Sequence, residues 1–181
     1  MRWLVLLLTA FCAQALAQGN AANAILLVAK PDLLDPNFRE TVVLVTQTED
    51  ASTVGVILNR PTARRHERTG EPLYFGGPVM REVIVALFRA EQAPRAAAFH
   101  VLKDLYLTMH PDNIDPLLAQ HSGNYRLFVG FSGWAPGQLQ SEMERDGWYV
   151  LPATADIAFR ADTSGMWEEL VRKARGRVAL R

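Results

Sequence analysis

Gly130-Phe131-Ser132-Gly133-Trp134 sets a serine hydroxyl among glycines, a setting from which an acyl-transfer nucleophile can be built. A hydrolase elbow needs glycine two places on either side of the serine, so that the chain can turn sharply from strand to helix. Trp134 stands at the second of those places, so the pattern fails and no catalytic residue is assigned. The glycines are read instead as a turn where backbones come close. His66, His100, His110 and His121 lack the i,i+4 or short-loop spacing that brings two imidazoles to one metal. No metal site and no cofactor is expected. Asp32 and Asp35 are candidate paired carboxylates, but beside Pro31 and Pro36 they read as turn residues. Arg64-Arg65-His66-Glu67-Arg68 is a basic run without an aromatic to stack on bases, and Glu67 interrupts it, so it reads as a solvated loop.

Trp134, Gly137, Gln138 and Glu142 are better placed to hold a ligand. With a helix opening near Pro136, Gln138 falls in its first turn, where free N–H groups attract anions. Glu142 follows one turn later on the same face, and Trp134 precedes both as an aromatic wall. A second glycine-rich turn, Gly76-Gly77-Pro78, also follows a strand-like segment, so the two can converge on one rim of a sheet. The candidate ligand site is therefore Gly76, Gly77, Pro78, Gly133, Trp134, Gly137, Gln138 and Glu142. A small ligand would stack on Trp134 and hydrogen-bond to Gln138 or to backbone N–H groups. The alternative is a helix start braced by a core tryptophan, with Gln138 bonded only within its own chain.

The elements that must position these residues follow from hydrophobic patterning. Residues 24–29 are a continuous apolar run, as in a strand buried on both faces. Residues 30–38 read as a structured turn, and 41–46 and 53–58 as β-branched strands joined by a short link at 49–52. The polar stretch 59–72 reads as a long mobile loop. Strands are expected at 73–75, 83–88, 99–102, 105–107, 125–131 and 148–151. Helices are expected at 111–119, with Pro111 at an early position, at 136–146 with Leu139 and Met143 four apart, and at 163–175 with Trp167, Leu170, Val171 and Ala174 inward. Strands early and helices late favour an α+β fold.

The 181 residues carry 19 basic and 19 acidic side chains and are 49% hydrophobic. That supports a sizeable core and predicts no general attraction to nucleic acid or anionic membrane. Arg2, the apolar run 3–11 and the small-x-small site Ala15-Leu16-Ala17 have the grammar of a secretory signal peptide. The run is shorter than the roughly 20 apolar residues of a membrane span. Cys12 is the only cysteine, and bulky Phe11 before it argues against lipidation. The expected organisation is a signal peptide over 1–17 and one domain over 18–181. The processed chain then has no disulfide, thiol nucleophile or Cys-ligated metal, and no stable membrane anchor. The expected location is periplasmic or secreted, with cytoplasmic as the alternative.

Four motifs in one order carry a family resemblance: Pro31-Asp32-Leu33-Leu34-Asp35-Pro36-Asn37-Phe38, Gly55-Val56-Ile57-Leu58-Asn59-Arg60-Pro61, Tyr74-Phe75-Gly76-Gly77-Pro78-Val79, and Gly130 to Leu139. Across about 24–167 the chain resembles the YqgE/AlgH family (UPF0301, DUF179). The resemblance implies an α+β fold with a branched, largely antiparallel sheet curled into a pseudo-barrel and flanked by helices. It implies no settled function, although some members carry a transcriptional-regulator label. The chain departs from the family in its signal peptide, and in Arg81-Glu82-Val83-Ile84-Val85-Ala86-Leu87 where members have a Gly-Phe-x-Leu-His-like segment. The first functional reading is a non-enzymatic periplasmic binding or interaction protein, with an unknown protein or small molecule as partner and no nucleic acid. A regulator of gene expression is the second, and a hydrolase using Ser132 the third. Intact-mass measurement of the exported protein should find a chain beginning at Gln18; a cytoplasmic product retaining Met1 would overturn the export reading.

Overall fold

Alternation along three consecutive strands divides one sheet between two cores. In the computed structural model, which describes residues 24–120 and 123–178, β1 (Ile25–Ala29), β2 (Val42–Gln47) and β3 (Thr53–Ile57) form an antiparallel meander. Leu26, Val28, Val42, Leu44, Val54 and Val56 face one cluster, while Leu27, Ala29, Val43, Val45 and Ile57 face the other. Successive side chains of a strand point to opposite faces, so a strand apolar at every position must be covered twice. The continuous apolar run 24–29 is read correctly as such a strand. The proposed signal segment 1–17 lies outside the described residues.

The chain continues through β4 (Pro61–Arg65), β5 (Pro72–Phe75), β6 (Val79–Arg89), β7 (Phe99–Leu102), β8 (Leu105–Thr108), α1 (Pro111–Gln120), β9 (Tyr125–Trp134), α2 (Gln138–Glu144), β10 (Trp148–Pro152), α3 (Ala155–Ala158) and α4 (Met166–Val178). The described strands make one ten-stranded sheet in the order β10-β1-β2-β3-β9-β6-β8-β7, with β4 and β5 attached off that path. The β5–β9 pair is parallel and every other pair is antiparallel. Helices α3 and α4 cover one face through Ile157, Met166, Leu170, Val171 and Ala174. The other face is covered at one end by α2 and Phe38, and at the other by Ile114 and Leu118 of α1. The fold is α+β with a large, mostly antiparallel sheet.

Two expectations need correction, and one short helix was not expected. The sheet does not curl into a pseudo-barrel: β10 and β7 are its two ends, and no ladder among the described residues joins them. Helices α3 and α4 cover the apolar face that closure would turn inward. Ala24 N–H donates to the Val101 carbonyl of β7, and Thr46 Oγ1 to that of His100, both at 3.2 Å. The stretch 59–72 is a hairpin rather than a loop, with Pro61 opposite Tyr74 and Arg65 opposite Pro72. Strand β4 is almost wholly exposed and held by backbone pairing, so it has no apolar alternation to reveal it. Helix α3 is a single turn, capped where Ile157 N–H donates to Thr154 Oγ1, too short to show a period.

The sheet branches at β9. Its second half pairs with β3 (Gly55 opposite Ser132), and its first half pairs along the same edge with β5 (Leu73 opposite Leu127). Gly76 sits at the fork, donating to the Val129 carbonyl and accepting from Ile57 N–H, both at 3.0 Å. A Cβ on Gly76 would lie 2.2 Å from the Gly130 carbonyl oxygen, and one on Gly77 2.3 Å from that of Phe131. Both obstacles are backbone. Gly76→Ala should therefore lower unfolding stability by about 3 kcal/mol or more. Gly176→Ala, in α4 with open space around it, should raise stability by up to about 1 kcal/mol. Urea denaturation of the two variants checks this, and equal midpoints would contradict it.

Candidate functional site

Trp134, Gln138 and Glu142 are brought together, and they spend their polar atoms on one another and on their own backbone. Trp134 is 3% exposed and donates its indole N–H to Glu142 Oε2 at 3.0 Å. Trp148 donates to the same oxygen at 3.2 Å. Phe38 stacks on Trp134 at 5.5 Å between centroids and meets Trp148 edge-on at 5.7 Å. Gln138 accepts from Ala135 N–H at 3.1 Å and donates to Glu142 Oε1 at 3.3 Å. Gly137, with φ 77°, is the N-cap of α2. Gly76 and Gly77 lie against residues 130–132 of β9, where buried Ser132 donates its hydroxyl to the Gly76 carbonyl at 3.0 Å. A Cβ on Gly133 would be 3.8 Å from Val79 Cγ2 at the start of β6; Gly130 to Trp134, read from sequence as a turn, lie inside strand β9 instead. A cavity of about 240 Å³ opens beside Ala135, Gly137 and Leu139, but Trp134, Gln138 and Glu142 do not line it.

The other quoted motifs also have internal partners. Asn59 accepts from Val42 N–H at 2.8 Å and donates to the Glu40 carbonyl at 2.9 Å. Arg60 reaches the Asn37 and Arg39 carbonyls at 2.6 and 3.0 Å; burial, and then the like charge of Arg39, push its guanidinium below the usual range. Asp35 accepts from Asn37 N–H at 2.7 Å, an Asx turn as expected. His66 lies 3.2 Å from Thr69 Oγ1, His100 stacks on Tyr106, and His110 accepts from Asp112 N–H. These imidazoles belong to three separate segments, and His121 lies outside the described residues.

Sequence reasoning passed over Arg126. Strand β9 begins Tyr125-Arg126-Leu127-Phe128-Val129, and all five are buried. The arginine inside that apolar run was the available signal. Its Nη1 donates to the carbonyls of Ala158 (3.1 Å) and Arg160 (3.4 Å), and its Nη2 to that of Leu58 (2.8 Å). The guanidinium carbon lies 3.7 Å from the centre of the Tyr74 ring. None of the ion pairs among the described residues involves it. Burial pushes this group below the ordinary guanidinium range, partly offset by Tyr74.

Arg126 lines a cavity of about 260 Å³ with Glu71, Tyr74, Arg89, Phe159 and Arg160. Arg89 is braced by Asp104 at 3.0 Å and lies over Phe159. Arg160 pairs two-pronged with Glu169 at 2.6 and 3.1 Å, which pushes its pKa up and that of Glu169 down. Tyr125 belongs to the same lining. Its hydroxyl is buried, and burial, reinforced by Glu71, raises its pKa. A larger groove of about 640 Å³ shares Tyr74 and Ala161 with this cavity and runs past Arg60, Thr163 and Trp167.

Comparison with known proteins places this geometry in a family. The model for DUF179, described as AlgH-like, matches residues 26–179. A UPF0301 protein of Thermobifida fusca is 35% identical over 173 residues, covering 85% of this chain and 87% of that protein. A UPF0301 protein of Mycobacterium leprae is 33% identical over 165 residues, covering 82% and 80%. Among solved structures, the AlgH protein of Pseudomonas aeruginosa superposes with a TM-score of 0.69 at 22% identity, covering 90% of this chain and 91% of that one. Protein DIP2367 of Corynebacterium diphtheriae gives 0.65 at 24% identity, covering 82% and 85%. At those identities the structures speak for the fold alone.

The bonding around Glu142 yields a discriminating pair of variants. Glu142→Ala strips the acceptor from two buried indole N–H groups and should cost on the order of 2 kcal/mol or more. Gln138→Ala, at an exposed helix start, should change stability by only about 0.5 kcal/mol. Chemical denaturation followed by tryptophan fluorescence reads both, and a Gln138 effect as large as that of Glu142 would refute this division of roles.

Proposed function

This chain belongs to the AlgH-like DUF179 family, and on that premise we propose that it is a non-enzymatic binding protein, exported to the periplasm, whose ligand occupies the cavity at Arg126. One observation carries the reading. A buried arginine with no carboxylate partner among the described residues opens on a cavity whose lining holds two further arginines and three aromatic rings. Binding sites are typically concave and mixed in this way, with a few fixed polar groups among apolar walls. The Trp134–Gln138–Glu142 group is less suited, because its donors and acceptors already serve each other. Ser132 favours a non-enzymatic role, since its buried hydroxyl donates to a carbonyl and no hydrogen bond to a base activates it among the described residues. Export rests on the signal-like residues 1–17 alone.

The test is ligand-shifted melting with the small-molecule fraction of a periplasmic extract. The fraction should raise the melting temperature of the wild type by several degrees, as mass action requires of a ligand well above its Kd. Ala161→Trp, at a position lining both the cavity and the adjoining groove, should abolish the shift. An unchanged melt, or a shift indifferent to Ala161→Trp, would remove the proposed site. Salt-sensitive, sub-micromolar binding of duplex DNA would favour regulation of gene expression instead.

A further inference from the structure

The chemistry of the cavity walls narrows what it can hold. Its lining includes the guanidinium side chains of Arg89, Arg126 and Arg160 against one carboxylate, Glu71. The acids that pair with two of these arginines, Asp104 and Glu169, stand outside the lining. Each cation is also held in place. Arg126 lies over Tyr74, Arg89 lies over Phe159 while braced by Asp104, and Arg160 is gripped by both oxygens of Glu169. A guanidinium has five N–H donors, and Arg126 uses Nη1 and Nη2 on three carbonyls. Carbonyls supply dipoles and no countercharge, so the positive charge of Arg126 is hydrogen-bonded without being neutralised.

We propose that this cavity receives a small oxyanion, a carboxylate or phosphate group, with Arg126 as its inner donor and Arg89 and Arg160 at its sides. The proposal rests on the reading of the cavity as a ligand site and names the chemistry of the ligand. Guanidinium groups match the paired oxygens of carboxylate and phosphate, and charge-assisted bonds of this kind are the strong ones. The volume of about 260 Å³ is at the small end for ligand sites. It suits a short organic acid or a phosphate group, and is too small for a nucleic acid strand or a lipid. Tyr74 and Phe159 leave room for a compact apolar portion beside the anionic group.

Calorimetric titrations at constant ionic strength, with sodium succinate, sodium phosphate, neutral succinamide and sodium chloride as probes, test this. Saturable one-to-one binding of succinate or phosphate is expected, with chloride and succinamide silent; whichever oxyanion binds more tightly identifies the group. Arg89→Gln should weaken that binding by about tenfold or more, while Arg64→Gln, in the exposed strand β4, should leave it unchanged. Arg126→Lys keeps the charge, loses the fork and should weaken binding at least as much. If that variant does not fold, Arg160→Gln takes its place. Succinamide binding as tightly as succinate, with the same loss in Ala161→Trp, would refute the oxyanion and leave the ligand site standing. Silence of every probe, together with an extract that fails to shift the melt, would remove both. Oxyanion binding indifferent to Arg89→Gln would place the anion elsewhere and overturn the proposal.

Discussion

Everything in this molecule depends on how closely two backbones approach at the fork of β9. Gly76 and Gly77 lie against residues 130–132 at distances that leave no space for a Cβ, and Gly130, with φ +68°, adopts a conformation that side-chain-bearing residues rarely take. Because the chains touch there, one edge of β9 serves β3 along its second half and β5 along its first. The β-meander and the β4–β5 hairpin are thereby joined through one strand. Any larger residue at Gly76 would push β5 off β9 and carry Tyr74 away from Arg126.

The two ends of β9 solve the problem of buried polar groups in different ways. At the Trp134 end, one carboxylate oxygen takes both indole N–H groups, so no donor of the aromatic trio is left unpaired in the core. At the Arg126 end the buried group is a full cation. Desolvating it costs several kcal/mol. Three hydrogen bonds from a charged donor, at about 1.5–3 kcal/mol each, offset that cost, and the ring of Tyr74 adds about 2 kcal/mol when desolvated. The arginine is therefore stable without a ligand, while its field still points into an open cavity. It also ties the end of β3, the residues closing α3 and strand β9 into one unit, so the cavity wall is rigid where an anion would meet it.

The sequence motifs that mark the family do scaffold work in this structure. Arg60 of the second motif donates to the Asn37 carbonyl of the first, and Phe38 of the first stacks on Trp134 of the fourth, while Asp35 and Asn59 brace the backbone nearby. The third motif supplies the fork glycines and Tyr74. Only Tyr74 both belongs to a quoted motif and lines the arginine cavity.

Local pattern alone determined a good deal. Apolar runs and β-branched residues located β1, β2 and β3, and the apolar face 167–174 located α4, because burial on one face or two leaves a period in the chain. The α+β class was legible for the same reason, and the family through the resemblance carried by four motifs in one order. Strand β4 and helix α3 were not: one is nearly all exposed and the other is a single turn, so neither has a period to read. The candidate site shows the same boundary. Sequence brought Trp134, Gln138 and Glu142 together, since neighbours along a chain stay neighbours at a helix start. It could not say that Trp148 would claim the same carboxylate, nor that Arg126 would be walled by β5, β6 and the turn after α3. Those contacts join residues far apart in the chain, and only tertiary packing, through the glycine fork that sets β5 against β9, decides which side chains meet there.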